Sequence, residues 1–207
     1  MRTQKIGISI IQVSIFIISY FITYSAQTGG RSIVYKFDSA KCKITWVGRA
    51  EVGDYNISGN IKLAPESFMV FDKLNNSGEF VMDMNSISCT SLNGIKKITL
   101  LEHLKGEDFF EVSKFSKAIF KITSVSPINI ADNYYKVNGQ MTIKGVSRNL
   151  SFPATIKKDK TEISIKSILK IDRTQFNITY NSKNFFDNLK DDYIKDEFDI
   201  MIDIVGY

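Results

Sequence analysis

Along most of the chain apolar and polar residues alternate with period two, the pattern of half-buried β-strands. Cys42, Ile44 and Trp46 share one face of a run whose other face is Lys43, Thr45 and Val47. Ile57, Gly59, Ile61 and Leu63 alternate with Ser58, Asn60 and Lys62, and after Pro65 a brief strand is expected at Phe68 to Phe71. Asp72 to Gly78 reads as a turn, and Phe80, Met82 and Met84 then alternate with Glu79, Val81 and Asp83. Further on, Phe120 and Ile122 share a face, as do Tyr135, Val137, Gly139, Met141 and Ile143. Lys144-Gly145 makes a tight connection to Leu150, Phe152, Ala154 and Ile156, with Pro153 on the opposite face as an edge or bulge would tolerate. Ile163, Ile165, Leu169 and Ile171 form one row, and Phe198, Ile200, Ile202 and Ile204 the last and clearest.

One stretch breaks this period. Between Asn93 and Phe115 the leucines Leu100, Leu101 and Leu104 recur at helical spacing, with Ile98 one turn before Leu101. The spacing predicts a short helix that turns Lys96, Lys97 and Lys105 to water, stops at Gly106 and is followed by Phe109-Phe110. About eight to ten strands at regular spacing, one helical connection and no solenoid repeat define an all-β chain. Periodicity fits a closed antiparallel barrel or a two-sheet sandwich. Closure, which removes exposed edges, favours the barrel.

The N-terminus has another character. Arg2 and Lys5 precede an uncharged run from Ile6 to Ile22, and small residues follow at Ser25 and Ala26. That order describes a secretory signal peptide over residues 1–26, cleaved near Ser25 or Ala26, and hence a periplasmic or secreted protein. An uncleaved anchor is the competing reading. A polar lead over 27–32 and one domain over 33–207 complete the organisation. The formal charge of +5 includes Arg2 and Lys5, so the mature chain keeps +3, spread without a run of like charges. Such a surface gives no reason to expect nucleic acid. Cys42 and Cys89 allow one disulfide or two free thiols, and neither has the neighbours of a zinc site.

Chemistry has few candidates. His103 is the only histidine; Glu107 lies one turn on, with Glu102 and Asp108 close by, so an enzyme would have to pair His103 with one of these carboxylates. No G-x-S-x-G elbow and no phosphate-binding glycine loop occurs. The large, adaptable residues of the alternating faces, such as Phe80, Met82, Phe120, Met141 and Phe152, suit either an ordinary core or an apolar pocket.

Several motifs in one order resemble the YceI-like family of polyisoprenoid-binding, lipocalin-like proteins exported by many bacteria. His103-Leu104-Lys105-Gly106-Glu107-Asp108-Phe109-Phe110-Glu111-Val112 is similar to the family's H-L-K-x-x-D-F-F-D-V. Phe37-Asp38-Ser39 with Ile44-Thr45-Trp46-Val47-Gly48 resembles its opening strand, and Gly78 to Ser86 the strand before the helix. Val137 to Val146 resembles V-x-G-x-L-T-I-K-G-V, with Phe152-Pro153-Ala154 after it; Ile171 to Phe176 and Asp196-Glu197-Phe198 complete the order. The likeness covers roughly residues 34 to 206. Ser116, Phe115, Asn177 and Ile57 depart from the family pattern at positions that bear on the pocket mouth.

The resemblance implies an extended eight-stranded antiparallel barrel with one short helical connection, holding an isoprenoid or acyl chain of quinone or polyprenyl type. Trp46, Phe80, Met82, Phe120, Ile122, Met141, Phe152, Ile165 and Ile200 are its expected apolar lining, and Arg49 and Arg173 its expected headgroup contacts. No catalytic residue, metal or cofactor is expected beyond the bound lipid, which would serve transport, storage or stress protection. Transient membrane contact and a homodimer complete the expected partners. The competing readings are a lipid-modifying enzyme using His103 and a ligand-free interaction module.

Overall fold

The computed structural model describes residues 32–50, 55–72, 76–186 and 193–207; the expected signal peptide and all of the lead but Ser32 lie outside them. The described residues form ten strands, one α-helix and two single-turn 3-10 segments. The strands are β1 (Ile33–Lys36), β2 (Lys43–Arg49), β3 (Asn56–Leu63), β4 (Phe68–Phe71), β5 (Ser77–Asp83), β6 (Lys117–Asn129), β7 (Tyr134–Ile143), β8 (Val146–Lys158), β9 (Ile163–Asp172) and β10 (Glu197–Gly206). Helix α1 (Gly94–Lys105) connects β5 to β6.

Eight of these strands close a ring in the order β5-β3-β2-β10-β9-β8-β7-β6, every pair antiparallel, with β6 returning to β5. This is the closed barrel with one helical connection. The period-two rows explain it: Ile44↔Ile61, Ile200↔Trp46 and Phe80↔Phe120 are cross-strand partners, so each row meets another apolar row inside. β1 and β4 lie outside the ring. They cross one end, where Lys36 and Tyr207 exchange backbone hydrogen bonds of 2.9 and 2.8 Å and the buried Tyr35, Phe37, Met69 and Phe71 make a floor. Cover from β4 also explains why Val81, read as an outward residue, is buried: its N–H donates to the buried Ser67 Oγ at 2.9 Å.

The ring closes between β3 and β5 by an unusual route. Only Lys62↔Asp83 and Leu63↔Met82 pair directly. Beyond them the chain turns through Met84–Ser86, and serines take over from the strand. The N–H groups of Lys62, Asn60 and Ser58 donate to the hydroxyls of Ser86, Ser88 and Ser91 at 2.8, 3.3 and 2.9 Å. Backbone bonds from Ser88 to Asn60 O and from Thr90 to Ser58 O interleave with them. The run from Ser86 to Ser91 is therefore a strand edge built partly from side chains, which satisfies backbone groups that an apolar barrel cannot leave unpaired.

Helix α1 stands at the opposite end from the floor. Leu104 is buried and Leu100 and Leu101 pack against the core, and Gly106 caps the helix by donating to the Glu102 and His103 carbonyls. Ile98 is a correction to the expected stripe: it is 53% exposed, as is its neighbour Ile95 at 73%. The helix's apolar contacts with the core come from Leu100, Leu101 and Leu104 in the C-terminal half, and Ile98 is not among the residues packed there. Cys42 and Cys89 are both free thiols.

Gly59 follows from the serine edge: a Cβ there would sit 1.7 Å from the Ser88 carbonyl oxygen. Gly59→Ala must push the edge off β3 and is expected to cost about 1–3 kcal/mol or more in urea denaturation. Gly48→Ala, whose Cβ meets nothing within 4 Å, is expected to unfold at the wild-type midpoint. Equal midpoints for all three proteins would contradict this account of the seam.

Candidate functional site

The barrel is hollow. Its inward rows surround a cavity of about 310 Å³, at the lower end of the range typical of small-molecule sites. Trp46, Phe80, Met82, Phe120, Ile122, Met141, Phe152, Ile165 and Ile200 all stand in its wall. The structure thus brings together the nine residues expected as an apolar lining. Met69, Val137, Ile156 and Ile204 line the floor end, while Leu100, Leu104, Phe109 and Phe110 come from α1 and the turn after it. Polar side chains gather at one end, where Arg49, Tyr55, His103, Arg173, Tyr180 and Lys195 reach the lining.

That end is built by the helix-turn segment and the loop before β10. After Gly106 the chain folds back, with Phe110 and Val112 donating to the Leu104 and Lys105 carbonyls at 3.2 and 3.0 Å. Leu104, Phe110 and Val112 are buried beneath, which leaves His103 exposed on the rim. The His103 ring stacks on Tyr180 at 5.6 Å between centroids, so helix and loop meet across the mouth. Among the described residues no carboxylate makes an ion pair with His103. The histidine–carboxylate pair on which an enzyme reading depends is not formed. Nor does any cluster of metal-binding side chains occur among the described residues.

The two arginines expected at the headgroup are both engaged. Arg173, only 2% exposed, donates to the carbonyls of Ile178, Ile194 and Lys195 at 3.0, 3.0 and 3.2 Å. It also faces Asp196 at 3.3 Å and lies over the Phe109 ring at 5.6 Å. Burial lowers its pKa, and the Asp196 and Asp172 carboxylates oppose that shift. Arg173 is thus a latch tying both ends of the loop to the barrel and the helix turn. Arg49 shares the outward row of Val47, whose partner is Asp199, and its guanidinium is held by the Asp199 carboxylate. The hydrogen bond from Arg49 holds the Asp199 pKa below the ordinary carboxylate value against the opposing effect of burial.

Tyr55, Tyr180 and Lys195 were not singled out in the sequence. They sit in connections without a period, Tyr55 between β2 and β3 and the other two in the loop that Arg173 latches. A glycine makes room inside: a Cβ at Gly139 would lie 2.4 Å from the Phe120 ring, so that ring swings inward over β7 only because the position is bare.

A hollow antiparallel barrel, closed at the floor and polar at one mouth, has the architecture of a small-molecule binding protein. The chain belongs to the YceI-like domain family, whose model matches residues 35–206. A UPF0312 protein of Shewanella sp. (strain W3-18-1) is 40% identical over 53 residues, a segment spanning 26% of this chain and 27% of that protein. Among solved structures, Burkholderia cenocepacia BcnA superposes with a TM-score of 0.64 at 22% identity, covering 83% of this chain and 99% of that one. A polyisoprenoid binding domain from Saccharophagus degradans, implicated in plant cell wall breakdown, superposes with a TM-score of 0.61 at 12% identity over 83% and 97% of the two chains. At these identities the superpositions establish the shared fold.

Arg173→Met leaves Asp196 without its partner and three loop carbonyls without a donor. It is expected to cost about 3–5 kcal/mol and to release the amides of residues 178–182 to rapid hydrogen exchange. Unchanged exchange there would refute the latch. The Arg49–Asp199 pair carries a pH signature. Because the folded carboxyl has the lower pKa, its contribution is present above the unfolded value, about 3.9, and is lost as pH falls through the folded one. Asp199→Asn is expected to lower stability at pH 7 and to flatten the acid limb of the stability–pH curve.

Proposed function

We propose that the protein is an exported carrier that holds one long-chain lipid of isoprenoid or acyl type, tail in the barrel and polar end at the mouth. The observation that carries this reading is the cavity surface itself, apolar almost throughout, with residues that bear polar side chains joining the lining only at one end. Each methylene moved from water into such a cavity gains roughly 0.8 kcal/mol, so a flexible chain can be held without many polar contacts. Membership of the YceI-like family and the polyisoprenoid-binding description of the Saccharophagus domain support the ligand class.

Export rests on the order of charge and hydropathy in residues 1–26. A carrier must load where such lipids reside, and four exposed apolar side chains stand on the elements that frame the mouth. They are Ile95 and Ile98 on α1 and Phe185 and Phe186 in the loop. This arrangement supports transient membrane contact during exchange.

Native mass spectrometry of the protein purified from its source, followed by solvent extraction, tests the reading. The expected result is a mature chain beginning near Gln27 with one lipid bound in a 1:1 complex. Gly48→Phe places a ring in open space in the cavity wall and is expected to keep the fold while losing at least about tenfold in retained lipid. A folded wild-type protein that is empty and ignores added quinones, polyprenols and fatty acids would overturn it.

A further inference from the structure

Among the described residues, the ionisable residues other than tyrosine that join the cavity lining are all basic. Arg49, His103, Arg173 and Lys195 reach the lining, and no Asp or Glu does so among the described residues. The nearby acids are already committed. Asp199 is paired with Arg49; Asp196 faces Arg173 and accepts from Asn184 Nδ2 at 2.7 Å; Glu197 pairs with Lys170 at 3.4 Å. Arg49 and Arg173 each face an aspartate at the rim, whereas among the described residues no ion pair involves Lys195.

Lys195 is held in place by its backbone. Its backbone N–H donates to Arg49 O at 3.0 Å and its carbonyl accepts from Arg173, so the Cα is fixed between the two arginines while the side chain is exposed. Around the same opening stand Tyr55 and the stacked rings of His103 and Tyr180. A lysine ammonium donates three hydrogen bonds and accepts none, and tyrosine and histidine can each add a donor. The set suits a headgroup rich in acceptors and carrying negative charge, for which charge-assisted hydrogen bonds are the strong ones.

Resting on the carrier reading, we propose that the mouth selects lipids by charge. The preferred ligand is a single-tailed amphiphile ending in an anionic group, a phosphate monoester or a carboxylate, in preference to a neutral chain of the same length. Lys195 is the principal specificity-determining residue and His103 its partner across the mouth. The cavity below supplies affinity for the tail without regard to the charge on the head.

Trp46 makes the test direct, because it is the only tryptophan in the chain and stands in the cavity wall. Its fluorescence is titrated with two matched pairs, farnesyl monophosphate against farnesol and oleate against oleyl alcohol, each below its aggregation threshold at low ionic strength. The anionic member of the pair that binds is expected to bind at least about tenfold tighter than its alcohol, and added salt is expected to narrow the gap. Lys195→Met, which keeps the apolar stem, is expected to remove most of the preference by weakening the anionic ligand far more than the alcohol; His103→Gln is expected to reduce the preference less. Equal affinity within a pair, or a preference that survives Lys195→Met, overturns the charge selection and leaves the carrier reading standing. No response of Trp46 to any of the four overturns the carrier reading itself.

Discussion

An apolar hollow inside a small protein is an expensive feature, and the rest of this structure follows from maintaining it. Inward side chains around a cavity of about 310 Å³ have no protein neighbours on that side, so they give up packing contacts that a filled core would make. Such a hollow persists only if the wall around it has no weak point. Every inward backbone group must be paired within the wall, because the interior offers nothing to pair with. Closure of the ring through β5 and β6, the floor under β1 and β4, and the serine hydroxyls that extend the β5 edge along β3 all meet that demand. A ligand tail restores the contacts the void lacks, which couples occupancy to stability.

The two ends of the barrel solve different problems. The floor is sealed by aromatic and aliphatic packing: Tyr35 meets Phe71 edge-on and Phe37 tilts against Phe80. The mouth must stay passable, so it is organised by polar bonds and not filled. Arg173 is the centre of that organisation. Its planar guanidinium reaches three carbonyls, a carboxylate and an aromatic face at once, a combination an ammonium could not match. The loop it anchors brings Tyr180 against His103 and fixes the backbone of Lys195 beside Arg49.

The barrel was legible in the sequence because a period-two row is a statement about facing. Once Ile44 and Trp46 point inward, so must their cross-strand partners Ile202 and Ile200, and the lining follows from register alone. The brief strand at Phe68–Phe71 and the Gly106 stop were legible from local chemistry. What local pattern could not supply was position relative to other elements. Ile98 carries the spacing of a buried residue, yet it is exposed, because the helix packs on the core through Leu100, Leu101 and Leu104. Val81 carries the spacing of an exposed one, yet β4 and Ser67 cover it. The mouth was least legible, since Tyr55 comes from a connection without a period, and Tyr180 and Lys195 come from a loop held by the buried Arg173. Arg49 and Arg173 both reach the mouth, but an arginine's partners are set by tertiary structure, and here they include Asp199 and Asp196.

The central claim is that a lipid tail lies inside the barrel with its polar end at the mouth. Trp46 stands in the wall part-way along β2, between the floor and the rim at Arg49. Fatty acids brominated at successive positions along the chain, titrated against Trp46 fluorescence, test the claim most directly. The account predicts saturable quenching that peaks for bromine in one part of the chain and falls off on either side, with no such peak in Gly48→Phe. Quenching that is absent, or equal for every bromine position and unchanged by filling the cavity, would contradict it.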